Sequence, residues 1–173
     1  MSGWGKYVWG AIAIAVLTHL AFINAIPRVL TGVAISRLGE AGYNQWHVAP
    51  RVTEASRTIV RPAPDFAYSV CVYDLSRGPL RLRVAEWDQY WSISLYAANS
   101  DNYFVLDDRE VRGAAEIVLL RAGREPPDDA ELVAHSPSAK GVALIRRLAP
   151  TLGAYNDAAR VAAGDVCAQL RDS

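Results

Sequence analysis

The chain has 173 residues, and its 18 lysine and arginine side chains balance 18 aspartates and glutamates. This length fits one domain, and the neutral net charge argues against a protein that coats nucleic acid. Hydrophobic residues make up 51% of the sequence, which is too apolar for a mainly disordered chain. Two cysteines and three histidines are too few for a disulfide-dense mini-protein or a metal cage, so neither a metal site nor a cofactor is expected.

Residues 1–27 are predicted to form a membrane anchor. Residues 8–26 carry no charge between Lys6 and Arg28, and these 19 residues, at about 1.5 Å each, just cross the hydrocarbon core of a bilayer. Aromatic residues at one edge and Arg28 at the other fit the two interfaces. A cleaved signal peptide is the alternative, because Ile23-Asn24-Ala25 resembles a cleavage site.

Four residues of the anchor predict contact with a partner helix. Ala11 and Ala15 have the spacing that lets two helix backbones approach, while His19 and Asn24 are costly in lipid unless they face a partner or water. In the alternative, Asn24 lies in the interface and His19 is neutral and hydrogen-bonded within a lipid-facing helix. Basic residues flank both ends of the segment, so charge does not predict its orientation.

Residues 28–64 are predicted to form a short amphipathic helix followed by an irregular linker. The helix is expected to run from Arg28 to Leu38, because Gly39 and Gly42 stop it. The linker contains Pro50, Pro62 and Pro64, which block regular strand pairing.

Residues 65–150 are predicted to form an antiparallel β-sandwich with a jelly-roll-like arrangement. Alternating residues in 66–75 and 80–84, joined by the turn at 76–79, predict a β-hairpin. Further strands are predicted at 91–97, 103–106, 116–120, 132–135 and 142–148, of which the last also fits a helix. No helices alternate with these strands, so a parallel sheet is not expected. An Ala-rich helix is predicted to close the chain over residues 151–173.

The two cysteines lie in different predicted elements, Cys71 in a strand and Cys167 in the last helix. A bridge would close a loop of about 97 residues and stabilise the fold by roughly 4 to 5 kcal/mol in the chain-entropy model. Two buried free thiols are the alternative.

Arginines cluster before the first long strand. Arg51, Arg57 and Arg61 predict either a recessed site for a carboxylate or phosphate, or contact with lipid headgroups. In the other interpretation, Arg61 and Asp65 bind loop backbone or each other and order the entry to the strand.

Enzyme signatures are missing from the sequence. Nucleophile-elbow, zincin, phosphate-loop and dinucleotide-binding motifs do not occur, so no catalytic residue is predicted. A triad assembled in space stays open as an alternative, because triads ignore sequence order. Its candidate members are Ser69 or Ser92, His47 or His135, and Asp65 or Asp74.

Several motifs together resemble one known family. They are Arg61-Pro62-Ala63-Pro64-Asp65, Tyr68, the turn from Asp74-Leu75 to Gly78-Pro79, the segment Tyr90 to Tyr96, and the segment Ser136 to Gly141. This chain resembles the domain of unknown function 1254 family, in its short, membrane-anchored bacterial form. The resemblance implies an all-β sandwich outside the cytoplasm, often accompanied by a domain or protein of the unknown-function 1214 family. It implies no reaction.

Two functional hypotheses follow. The first is an accessory or interaction protein, anchored by one helix in the bacterial inner membrane, that presents a periplasmic β-domain to a protein partner, such as a member of the 1214 family. Its periplasmic location is expected from the resemblance and from the two cysteines. The second is a periplasmic hydrolase-like or small-ligand-binding protein whose pocket is lined by Trp91, Tyr96 and Arg61.

Overall fold

A long apolar helix begins the structure, which is a computed structural model describing residues 3–56 and 62–170. This helix, α1 (Gly5–Gly39), has 35 residues and a mean hydropathy of 1.8 over its most apolar window, none of which is buried. At a rise of about 1.5 Å per residue it is about 52 Å long, whereas a hydrocarbon core is about 30 Å thick. Among the described residues, α1 is the one helix long and apolar enough to cross a membrane, a test that a signal sequence also passes.

The prediction of two separate helices before residue 40 is wrong, because α1 continues through Pro27. A proline inside a helix removes one backbone donor, which ordinarily costs about 3 kcal/mol. Side chains add hydrogen bonds beside this position: Arg28 Nη1 donates to the Asn24 carbonyl at 2.7 Å, and Asn24 Nδ2 donates to the Leu20 carbonyl at 2.9 Å. As predicted, the helix stops at the glycines that follow Leu38.

Nine strands form two sheets in the described part of the chain. They are β1 (Trp46–Val48), β2 (Phe66–Asp74), β3 (Leu80–Val84), β4 (Trp91–Ala97), β5 (Asn102–Asp107), β6 (Ala115–Arg121), β7 (Val133–Ser136), β8 (Lys140–Leu148) and β9 (Val166–Gln169). The five-stranded sheet has the order β1-β2-β8-β4-β5, and the four-stranded sheet has the order β7-β6-β3-β9. Neighbours are antiparallel except β6 and β7, which are parallel.

Both sheets contribute to one hydrophobic core. In β8 the buried residues Ala143 and Ile145 alternate with half-buried ones, as the period of two in a strand requires. From the other sheet, Leu82 and Ile117 enter the same cluster and are fully buried. The prediction of a mainly β fold with helices at both ends is therefore confirmed.

The predicted β2–β3 hairpin is wrong, because the two strands lie in different sheets. β2 pairs with β1 and β8, while β3 pairs with β6 and β9. Between them, Leu75 N donates to the Ala139 carbonyl at 2.8 Å, and Gly78 then turns with φ +133°. The turn therefore carries the chain from one sheet to the other.

The carboxy-terminal helix is shorter than predicted. Helix α2 spans Leu152–Val161, and a 3₁₀ turn at Ala162–Gly164 leads into β9. Gly164 disfavours a longer helix, and the segment after it gains more by pairing with β3 than by extending α2. Cys167 therefore lies on a strand. The strand β1, in a region predicted to be irregular, was also missed.

Candidate functional site

The end of α1 is attached to the turn between β4 and β5. Ser100 Oγ donates to the Pro27 carbonyl at 3.3 Å and also shares a short hydrogen bond with Thr31 Oγ1. One helical turn further along, Ile35 is buried. These contacts fix one side of α1 against the β-domain just beyond the apolar run that ends at Ile26.

A groove of about 470 Å³ lies at this junction, between α1 and the turns β4–β5 and β7–β8. Its lining residues are Arg28, Gly32, Ala97, Ala98, Asn99, Pro137 and Ser138. Arg28 carries the charge of the lining, and the rest of it is small, apolar or neutral. A Cβ atom on Gly32 would have no neighbour within 4 Å, so this glycine leaves open space beside the helix.

The β7–β8 turn that forms one wall is held by serine hydroxyl groups. Ser136 Oγ donates to the Ser138 carbonyl at 2.8 Å. Ser138 Oγ accepts from the Ala98 amide at 3.0 Å and donates to the Lys140 carbonyl at 2.6 Å. The turns on the two sides of the groove are thereby bonded to each other.

Two tyrosines on the core side of this turn stabilise it by hydrogen bonds. Tyr103 Oη donates to Tyr73 Oη at 2.9 Å, and Tyr73 Oη donates to the Tyr96 carbonyl at 3.0 Å and lies 3.0 Å from Ser136 Oγ. Burial raises the pKa of Tyr73 and of Tyr103 above the usual value of a phenol. Both groups are therefore neutral at physiological pH, which suits a structural network rather than an acid–base pair.

Apolar side chains cover the side of α1 that faces away from the β-domain. Ile26, Val29, Leu30 and Val33 follow the spacing of one helix face and are 47%, 61%, 63% and 44% exposed, respectively. We call these four residues the apolar stripe. It continues past Arg28, where a helix in water would ordinarily be polar.

The residues predicted to contact a membrane partner all lie on α1. Ala11, Ala15 and His19 are exposed. The Asn24 amide donates within the helix to the Leu20 carbonyl, so it needs no partner helix to satisfy that donor.

The predicted anion site lies only partly within the described residues. Arg57 and Arg61 lie outside the described residues. Arg51 is exposed and donates to the Pro150 carbonyl at 3.5 Å, and the exposed Asp65 accepts at its backbone oxygen from the Ala149 amide at 2.7 Å. These two contacts order the loop backbone.

Trp91 and Tyr96, predicted to line a pocket, project from opposite faces of β4. Trp91 is 2% exposed in the core, whereas Tyr96 is half-buried on the other face, where its hydroxyl group accepts from Arg146 Nη2 at 3.0 Å. Side chains an odd number of residues apart point to opposite sides of a strand, so these two cannot line one pocket.

The candidate triad residues are not joined by hydrogen bonds. Ser69 and Ser92 are both buried, but they lie on opposite faces of their sheet. His135 is exposed, and His47 Nε2 is buried without a partner among the described atoms. Within residues 3–56 and 62–170, no group of three or more metal-ligating side chains occurs either.

A buried ion pair was missed by the sequence analysis. Arg147 on β8 donates to both oxygens of Asp165, at 2.9 and 2.6 Å, and to the Ala85 carbonyl at 3.2 Å. Asp165 in turn accepts from the Ala85 amide at 2.8 Å, and both charged side chains are almost completely buried. The alternation of β8 did indicate a buried arginine, because Arg147 lies on the same face of the strand as the core residues Ala143 and Ile145.

A disulfide joins Cys71 on β2 to Cys167 on β9, with 6.7 Å between their Cα atoms. The bridge therefore links the five-stranded sheet to the four-stranded sheet. Of the two alternatives for the cysteines, the structure has the bridge.

Comparison with known proteins places this arrangement among relatives without an assigned activity. Residues 43–169 match the family model described as "Protein of unknown function (DUF1254)". No curated protein matches the chain.

The solved structures that are similar to this chain include two from bacteria. The VPA0106 protein from Vibrio parahaemolyticus is 13% identical with a TM-score of 0.58, over 87% of this chain and 38% of that chain. An uncharacterized protein from Burkholderia cenocepacia is 13% identical with a TM-score of 0.49, over 65% of this chain and 33% of that chain. The chain thus spans well under half the length of either, and the likeness to the Vibrio protein is one of fold.

Proposed function

The chain belongs to the DUF1254 family, and we propose that within it the protein is a membrane-anchored accessory or interaction protein that presents its β-domain to a protein partner. The observation that carries this proposal is α1, which is apolar and exposed along its length but attached to the β-domain on one side of its final turns. The helix is thereby both an anchor and a rigid stalk.

A transmembrane role for α1 explains its exposure. Exposed apolar residues over about 20 positions are unfavourable in water and favourable in a bilayer. The stalk contacts at Pro27, Thr31 and Ile35 then hold the β-domain directly at the membrane surface. A signal sequence that is removed by cleavage would not need contacts with the folded β-domain.

We place the β-domain in the periplasm, with α1 in the bacterial inner membrane. The Cys71–Cys167 bridge supports this side, because disulfides form and persist in oxidising compartments. We further propose that the two sheets face each other as a sandwich, since both supply side chains to one core cluster and the bridge runs between them.

The partner is proposed to be a protein with an apolar helix, and the apolar stripe is its contact surface. The stripe lies opposite the side of α1 that binds the β-domain, so both contacts can exist together. Part of it extends beyond Arg28, into and past the headgroup layer, where burial against a partner removes apolar surface from polar surroundings. A member of the 1214 family is one such partner.

The test is site-specific photocrosslinking in membranes. A photoreactive amino acid at Leu30, in the stripe, is expected to give one discrete crosslinked species that mass spectrometry identifies. The matched control is Leu152, which is 59% exposed on α2 and distant in sequence from the stripe. The absence of any crosslink from the stripe in a membrane-integrated protein argues against the proposal.

The location has a separate test. Alkaline phosphatase fused to the carboxy terminus is expected to be active, and green fluorescent protein at the same place is expected to be dark. The reverse pattern would put the β-domain in the cytoplasm.

A further inference from the structure

We propose that the groove between α1 and the turns β4–β5 and β7–β8 binds an anionic glycerophospholipid of the adjacent leaflet, with the lipid phosphate at Arg28. This inference rests on the proposed transmembrane role of α1 and adds a ligand to it. It assigns a function to the junction beyond holding the domain in place.

The groove lies at the depth of the lipid headgroups. Arg28 and Gly32 follow the end of the apolar run at Ile26 by two and six residues, which is about 3 and 9 Å along the helix. Each headgroup layer is about 5 to 8 Å thick, from the difference between the whole bilayer and its hydrocarbon core. Arg28 therefore lies at the level of the lipid phosphates, and Gly32 lies at the outer edge of the headgroup layer.

The chemistry of the lining suits a lipid. Arg28 uses Nη1 to bind the Asn24 carbonyl, which fixes the guanidinium group, and no carboxylate of the described residues lies within 4.0 Å of it. Guanidinium groups bind phosphate oxygens in a fork geometry. The acidic residue of the nearby turn, Asp101, accepts a hydrogen bond from the Asn99 amide.

The uncharged part of the groove, beside Gly32, lies on the water side of Arg28 and suits the carbon atoms of a glycerol headgroup, while the acyl chains run from the phosphate back into the bilayer. Ala97, Ala98 and Pro137 form this surface, and Gly32 leaves the space open. Its volume, about 470 Å³, falls within the range of about 300 to 1,000 Å³ that small-ligand sites occupy. A single cation beside an apolar surface is the pattern expected for a phospholipid rather than for a free, fully hydrated phosphate.

Native mass spectrometry of the full chain in mild detergent tests the inference, with phosphatidylglycerol and phosphatidylcholine added in equal amounts. The wild-type protein is expected to retain phosphatidylglycerol preferentially. Arg28→Gln is expected to lower that retention about fivefold, the effect of one basic residue near an anionic lipid surface. Gly32→Leu, whose Cβ would meet no atom within 4 Å, narrows the groove and is expected to abolish the preference.

Two variants are matched controls. Arg37→Gln removes the same charge from an exposed residue that does not line the groove, and Gly10→Leu adds the same side chain at another helical glycine with open space. Both are expected to behave like the wild type. An equal loss in Arg37→Gln, or no preference in the wild-type protein, overturns the inference.

Extraction of membranes with alkaline carbonate separates this inference from the proposed function. Release of the chain from the membrane refutes the anchor, and the lipid site is refuted with it. A chain that stays integrated but shows no lipid preference refutes the lipid site alone.

Discussion

Removing one charge of the Arg147–Asp165 pair is predicted to destabilise the β-domain strongly. In Asp165→Asn the guanidinium group of Arg147 stays buried without its counter-charge. An asparagine also offers one acceptor oxygen in place of two, so the bonds to Arg147 and to the Ala85 amide compete for it. The perturbation therefore leaves a buried charge and a weakened tie between β8 and the turn before β9.

The magnitude follows from the burial of the pair. Breaking a buried ion pair by removing one partner costs about 3 to 5 kcal/mol. Because the asparagine amide still offers a hydrogen-bond acceptor to Arg147, we expect this variant to lose about 3 kcal/mol. For a protein of this size, each 1 kcal/mol shifts Tm by about 2 to 4 °C. Asp165→Asn is therefore expected to lower Tm by about 6 to 12 °C.

The assay is thermal unfolding of the full chain in detergent, with near-ultraviolet circular dichroism as the readout. Asp157→Asn is the matched control, because Asp157 pairs with Arg160 on the surface of α2, and such an exposed pair contributes less than about 1 kcal/mol. Replacing both buried partners, by Arg147→Met with Asp165→Leu, is expected to recover part of the loss. Equal Tm values for Asp165→Asn and Asp157→Asn would refute the reasoning.

Three further predictions concern the same domain. Breaking the Cys71–Cys167 bridge with reductant should cost up to about 4 to 5 kcal/mol and lower Tm, and alkylation of the freed thiols should prevent recovery; an unchanged Tm contradicts this. Gly141→Ala places a Cβ against the Tyr73 hydroxyl and the Tyr96 carbonyl and should cost about 1 to 3 kcal/mol, whereas Gly153→Ala, with no atom closer than 3.9 Å, should be tolerated in the same melts. Burial raises the pKa of Asp74, but the hydrogen bonds from Ser76 and the charge of Lys140 lower it by more, so the pKa in the folded protein is below its usual value. The contribution of Asp74 to stability is therefore present at neutral pH and is lost as the pH falls through the folded-state pKa. Asp74→Asn should remove that part of the acid dependence in a pH titration of Tm.

The sequence predicted strand positions well because each strand carries its own period. The alternation in β2 and β8 requires no knowledge of what the strands contact, and it identified both to within two residues. Strand pairing is harder to predict than strand position. The turn residues at 76–79 are equally compatible with a hairpin in one sheet and with a crossing to the other sheet. The β2–β3 error is therefore one that local sequence does not correct.

The candidate site was harder to predict for a related reason. The groove combines Arg28 and Gly32 with alanines, a proline and a serine from two distant turns, and none of these residue types signals a site alone. The predicted site instead used prominent residue types, and its described members lie apart: Arg51 in a loop, Trp91 in the core and Tyr96 on an outer face. Only Arg147, a charge in a core-facing position, carried a clear signal that went unused.

The order of strands also sets when the domain can fold. β8 lies between β2 and β4, so these two strands have no common neighbour until residues 140–148 have been made. The second edge of β3 likewise stays unpaired until β9 is made, more than 80 residues later in the chain. Contacts of such long sequence separation slow folding, and β2, β3 and β4 each keep one edge unpaired until the last strands are made. The β-domain is therefore expected to complete its fold in one late step, after its last strand has emerged, and, if the proposed periplasmic location holds, to cross the membrane before that step.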